Sequence, residues 1–270
     1  MTRARDGRGR PQRRAGEVYH GGVTSERSND PGTRPFVGVL GGVGPLATAY
    51  FLNHVVRLTV AERDQDHVDM VVLNHATVPD RTEFILGRSA EDPGPVLARD
   101  ARRLEAFGAD FLVMPCNTAH YFTQQVLDAI SVPFVSIVEV TVDAARERVA
   151  DLRAVGLLAT SGTASSGVYQ DAFGAYGVTT LLPDDADQAV VSSIIYDQVK
   201  AGRPADLAAL RGVASHLVER GAQVVILGCT ELSVVAVDHG LLAEPLFIDS
   251  TDQLARATIR HAGGTVRDEA

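Results

Sequence analysis

From Phe36 onward the chain alternates short apolar runs with longer amphipathic stretches, and the alternation occurs twice. Apolar runs at 36–40, 70–73, 111–114, 134–137, 154–158, 224–227 and 246–248 are short and punctuated by Gly, Pro or Asn. Runs of that length read as strands buried on both faces. Helix-length patterns stand between them, for example at 100–107 and 205–220. Strand and helix in alternation predict an α/β fold with parallel sheets.

The two halves resemble each other. LEAFGADFLVMPCNT (104–118) aligns with LVERGAQVVILGCTE (217–231), FVGVLGGVGP (36–45) with AVGLLATSGT (154–163), and VPFVSI (132–137) with EPLFID (244–249). Three matches in one order at nearly one offset predict two homologous lobes. The expected architecture is two pseudo-symmetric lobes, each an open, mostly parallel sheet flanked by helices, with the active site in the cleft between them. The expected division is an Arg-rich, unfolded segment over 1–34, a first lobe of 35–133 plus 243–270, and a second lobe of 134–242.

The segment 1–34 holds eight Arg and four acids, a net +4, so the rest carries −13 of the overall −9. Its Gly, Ser and Pro content and near lack of apolar residues read as a disordered extension or an over-long start, with no secretory signal. The acidic remainder argues against nucleic acid as a partner. No run approaches the roughly 18 apolar residues of a membrane span. A cytoplasmic protein is expected. Of 25 basic residues, Lys200 is the sole lysine. A lysine at a helix end is ordinarily a surface residue; its singularity here points to a carboxylate ligand.

Cys116 and Cys229 are the only cysteines, and each follows a predicted strand in an equivalent context. The carboxyl end of a parallel strand is where open sheets place their ligands. Lobes facing each other would bring both thiols to one cleft, beside Asn117, Thr118 and Thr230, whose hydroxyls or N–H groups suit a carboxylate. Two inert buried thiols are the plain alternative. A disulfide scaffold is excluded by number, and zinc by the absence of ligand spacing. Symmetric placement suits symmetric chemistry. Racemisation needs a base on one face of a carbon and an acid on the other, and a thiol of pKa about 8.5 can serve as either.

The motifs GVLGGVGPLATAYF (38–51), PDRTEFILG (79–87), MPCNTAH (114–120), LLATSGT (157–163), YDQVKAG (196–202) and ILGCTELS (226–233) together resemble the aspartate/glutamate racemase family, on the cofactor-independent aspartate racemase side. The resemblance runs from about Phe36 to the C-terminus. It implies a PLP-independent racemase with Cys116 and Cys229 as alternating base and acid, acting on an acidic amino acid, and a homodimer. It implies Asn117 and Thr118 at the substrate α-carboxylate, and Arg81 and Lys200 at the side-chain carboxylate. Thr160, Thr163, Thr230 and the Gly41–Gly44 loop, Gly42 in particular, would be further substrate contacts, with Tyr196 orienting Lys200. The glutamate racemase branch has Asp-Ser-Gly after its first strand and His at the position of Glu231; this chain has neither.

Neither a metal nor a cofactor is expected. PLP would need a Schiff-base lysine beside a phosphate cup, and Lys200 has no such loop near it. Gly41-Gly42-Val43-Gly44 lacks the dinucleotide spacing. His75 and His120 read as structural. The competing functions are a superfamily isomerase, of maleate isomerase or hydantoin racemase type, and a non-catalytic amino-acid-binding protein.

Overall fold

The computed structural model describes residues 34–267, so the Arg-rich segment, Arg34 apart, lies outside the described residues. The first half runs β1 (Val37–Gly41), α1 (Pro45–Leu58), β2 (Met70–Asn74), α2 (Arg81–Ile85), α3 (Gly94–Phe107), β3 (Phe111–Val113), α4 (Thr123–Leu127), β4 (Phe134–Val135) and α5 (Ile137–Arg148). The second runs β5 (Ala154–Leu158), α6 (Ser161–Ser166), α7 (Val168–Gly174), β6 (Thr179–Leu181), α8 (Asp185–Ser193), α9 (Leu207–Glu219), β7 (Val224–Leu227), α10 (Thr230–Asp238), β8 (Phe247–Asp249) and α11 (Ser250–His261). A π-helical turn, Ile194–Val199, continues α8.

Both sheets are parallel and share one plan, β2-β1-β3-β4 and β6-β5-β7-β8. The duplicated motifs occupy equivalent strands, β1 with β5 and β3 with β7. Successive side chains of a strand point to opposite faces, and here both faces are buried. Val37 and Val39, Phe111 and Val113, Val155 and Leu157, and Val224 and Ile226 all enter one core common to the two sheets. Phe51 of α1, Val142 of α5, Phe173 of α7 and Leu254 of α11 fill that core. The intervening Leu40 and Leu112 enter a second core with Leu104 of α3, and Leu158, Val225 and Leu227 a third with Leu217 of α9.

Gly38 and Gly156 hold the same place in the two sheets. A Cβ on Gly38 would stand 3.2 Å from Leu104 Cβ, and one on Gly156 3.1 Å from Leu217 Cβ. Each glycine therefore lets a helix lie directly on strand backbone, α3 in one half and α9 in the other.

Two short strands fall across the expected lobe boundaries. Phe134–Val135 pairs with β3 and completes the first sheet, while Phe247–Asp249 pairs with β7 and completes the second. The repeat explains it: 132–137 and 244–249 are equivalent, so each strand belongs to the sheet of the motif before it. The chain then turns back, since α11 packs on both α1 and α5 and Val266 bridges to Thr59.

Gly156→Ala is expected to cost about 1–3 kcal/mol, the usual range for overpacking a tight core. Urea unfolding would measure it; an unchanged midpoint would mean that α9 does not depend on the close approach.

Candidate active site

The two equivalent middle strands end side by side, and the chain places a cysteine just beyond each. Cys116 and Cys229 line one cleft of about 430 Å³, measured out to the solvent at its mouth, together with Arg81, Asn117, Thr118, Thr160, Lys200 and Thr230. Both thiols are buried and free. Thr230 Oγ1 donates to Pro115 O at 3.4 Å, joining the two cysteine segments across the halves.

The Cys116 wall is held from behind. Asn117 Nδ2 donates to Ser250 Oγ at 3.0 Å, and Tyr169 Oη donates to Asn117 Oδ1 at 2.6 Å, so the amide is fixed in plane. Thr118 Oγ1 stands 3.0 Å from Thr160 Oγ1 and 2.8 Å from Thr163 Oγ1, making a triangle of buried hydroxyls. Thr160 also caps α6 by accepting from Thr163 N. His120 Nδ1 bonds Cys116 O at 2.8 Å while its Nε2 accepts from Ile137 N at 3.1 Å, which sets the tautomer. Burial pushes this imidazole down to about 4. His120 is thus a neutral brace between the Cys116 loop and α5. Burial raises the Cys116 thiol above its ordinary pKa, against the pull of Arg81 and of the Ala119 N–H.

Arg81 opens α2, which Asp80 caps by accepting from Glu83 N at 3.0 Å. Its Nη1 donates to Val78 O and Pro79 O, while its buried Nε has no partner. That N–H faces a desolvation cost until a ligand meets it.

Cys229 stands at the N-cap of α10 and its Sγ donates to Glu231 Oε2 at 2.9 Å. Glu231 Oε1 faces Lys200 Nζ at 3.7 Å. Burial, followed by the charge of Glu231 and its hydrogen bond, drives the Cys229 thiol well above its ordinary value; Lys200 opposes them. Burial works against charge on Lys200, but Glu231, the two thiols and Tyr196 outweigh it and hold the ammonium above its usual range. The Tyr196 ring lies 4.6 Å from Lys200 Nζ, in cation–π range. The π-helical turn carries Tyr196 and delivers Lys200 at its end, bringing the single lysine to the cleft.

Two expected contacts stand elsewhere. Gly42 is not among the residues lining the cleft: its φ of +84° and the His75 backbone against its Cα make it a turn residue, and its N donates to Thr48 Oγ1 at 2.9 Å. Val43 reaches the cleft in its place. Thr163 stands behind Thr118 and Thr160 and supports them. Sequence reasoning treated Glu231 only as a departure from another branch; its spacing from Cys229, one side chain past the first residue of a helix, was the signal. Asp80, Thr82 and Ala47 also line the cleft without having been singled out. Among the described residues no group of three or more His, Cys, Asp or Glu side chains is placed to hold a metal ion, and no helix is long and apolar enough to cross a membrane.

A two-lobed α/β frame that brings one thiol from each lobe into a cleft bearing two cations defines the class. The sequence profile of the family described as Asp/Glu/Hydantoin racemase matches residues 40–258. The structure is similar to that of Picrophilus torridus aspartate racemase, with TM-score 0.72 and 30% identity over 86% of this chain and 96% of that one. The broad specificity amino-acid racemase RacX of Bacillus subtilis is 29% identical over 229 residues, 83% of this chain and 96% of that protein. A glutamate racemase of Corynebacterium glutamicum is 30% identical over 200 residues, 68% of this chain and 70% of its own length. The chain belongs to the Asp/Glu/hydantoin racemase family and is an isomerase, an amino-acid racemase.

Behind Asn117, the buried Asp249 precedes Ser250. Its Oδ1 accepts from Ser233 Oγ at 2.6 Å and Thr251 N at 2.8 Å, while Oδ2 has no partner. Burial, with help from the Asp252 charge, raises its pKa from 3.8 to about 7. The folded state then holds a proton that the unfolded chain has released, so this group makes stability fall as pH rises from about 4 to about 7. Asp249→Asn keeps the Oδ1 acceptor and removes the titration. Urea unfolding across that window should show a flatter pH dependence in the variant; an unchanged slope would mean that Asp249 stays ionised when folded.

Proposed function

We propose that this racemase interconverts the L- and D-forms of an amino acid bearing a side-chain carboxylate, aspartate first, by proton transfer between two thiols and the α-carbon, without PLP. The single observation that carries this reading is the presence of Cys116 and Cys229, from equivalent places in two halves, in one cleft with Arg81 and Lys200. One sulfur, as thiolate, takes the α-proton: the Cα–H bond breaks and an S–H bond forms. The other thiol then gives its proton to the opposite face of the carbanion. Roles exchange with direction, as an equilibrium constant of unity requires.

Burial supports the chemistry. It raises both thiols, and a base of higher pKa has more driving force for an α-proton once ionised. Arg81 offers its unpartnered Nε–H and Lys200 its ammonium to two carboxylates. Asn117, Thr118, Thr160 and Thr230 line the α-carboxylate side, with Thr163 behind them. A second reading, a wider substrate range, is favoured by the pairing of Lys200 with Glu231. That pairing offsets the Lys200 charge and leaves Arg81, with its buried unpartnered Nε–H, as the cation not faced by a carboxylate of the cleft, enough for a monocarboxylate. The similarity to a broad specificity racemase points the same way.

Racemisation of L-aspartate by reduced protein without added PLP, followed by chiral chromatography, tests the reaction. Cys116→Ala and Cys229→Ala should each lower the rate on the order of 10²–10⁴-fold, the range of acid–base catalysis, while aspartate still binds. Binding without turnover in the unaltered protein would favour a non-catalytic binding protein. Lys200→Ala should lower kcat/KM for aspartate about 10-fold or more beyond its effect on alanine, the weight of a charge-assisted hydrogen bond. Equal losses would remove the side-chain carboxylate from Lys200 and favour the wider range.

A further inference from the structure

The two thiols meet different surroundings. Cys116 is favoured as thiolate by Arg81 first, then by the backbone N–H of Ala119 and by Lys200, and it feels Glu231 only as a charge, with no hydrogen bond between them. Cys229 instead donates its proton to a carboxylate: Sγ to Glu231 Oε2 is 2.9 Å, and the other oxygen, Oε1, faces Lys200 Nζ at 3.7 Å. Glu231 is itself 8% exposed.

A buried carboxylate beside a buried thiol constrains how that thiol can ionise. Loss of the Cys229 proton to solvent would leave two anions against one ammonium in a site of low dielectric, a costly arrangement. Transfer within the hydrogen-bonded pair avoids this. The S–H bond breaks, an O–H bond forms on Oε2, and the electron pair stays on sulfur. The pair carries one negative charge before and after, matched by Lys200 throughout.

We infer that Glu231 is the proton acceptor that ionises Cys229, with Lys200 as the standing counter-ion of the pair, so that the two bases of this racemase are generated by different devices. The inference rests on the two-thiol reading above. It makes Glu231 a positioning and proton-holding residue acting through Cys229. A simple salt-bridge partner of Lys200 would instead affect both thiols alike.

Single-thiol variants separate the two. In deuterated buffer, C116S leaves Cys229 to exchange the α-proton of aspartate, and C229S leaves Cys116. Glu231→Gln keeps the size of the side chain and an acceptor for S–H but cannot take the proton at neutral pH. Placed in C116S, it should slow exchange on the order of 10²-fold; placed in C229S, it should cost at least 10-fold less. Glu231→Asp in C116S should recover part of the loss. The C229S arm also reports whether the cleft of the Gln variant is still formed. Equal slowing in both backgrounds overturns the inference and leaves Glu231 as a counter-ion of Lys200. Absence of exchange in both single-thiol variants with Glu231 intact contradicts the two-thiol reading, and the role of Glu231 falls with it.

Discussion

The apolar core common to both sheets is what the rest of the structure depends on. Alternate residues of β1, β3, β5 and β7 enter it, so the two middle strands are anchored to one packed layer and end at one cleft. Packing at crystal-like density leaves little freedom to slide, and each cysteine follows its strand within three residues. The separation of the two thiols is thereby set by side chains far from the chemistry. Gly38 and Gly156 matter for the same reason, since they let α3 and α9 clamp the outer faces of those sheets.

Electrostatics then divides what symmetry made equal. The cleft carries Asp80, Arg81, Lys200 and Glu231, a neutral sum with an uneven arrangement. Glu231 and Lys200 are felt by both thiols, but Arg81 is the leading charge on Cys116, whereas Glu231 is the leading charge on Cys229 and hydrogen-bonds that thiol alone. Burial raises the cost of either thiolate, and the same burial makes each a stronger base when formed. A second layer of neutral groups keeps the geometry: Tyr169 and Ser250 on Asn117, Thr163 on two cleft hydroxyls, His120 on the Cys116 carbonyl.

Much of this was legible in the sequence, and the exceptions have physical reasons. Continuous apolar runs between Gly and Pro mark β1, β3, β5 and β7 because those strands are buried on both faces. β6 escaped notice because Thr179 and Thr180 lie at the edge of a sheet, where apolar residues are not required. β4 and β8 were seen as runs but assigned to the wrong halves, since two or three residues carry no statement of which sheet they join. Cys116, Cys229, Arg81 and Lys200 meet because the duplication pairs the cysteines and the motifs supply the cations. Gly42 was misplaced, since a glycine required by positive φ and by a glycine required by a ligand look alike in one sequence. Glu231 is undervalued in the sequence because its spacing two residues after Cys229 gains meaning only once the start of α10 turns the carboxylate back onto the sulfur.

The most direct measurement starts from pure L-aspartate in deuterated buffer and follows deuterium in each enantiomer during the first few per cent of turnover. Two thiols on opposite faces should place deuterium in the newly formed D-aspartate while the remaining L-aspartate stays protiated. Deuterium entering both enantiomers at the same initial rate would mean that one group serves both faces, and would contradict the assignment of Cys116 and Cys229 as paired acid and base.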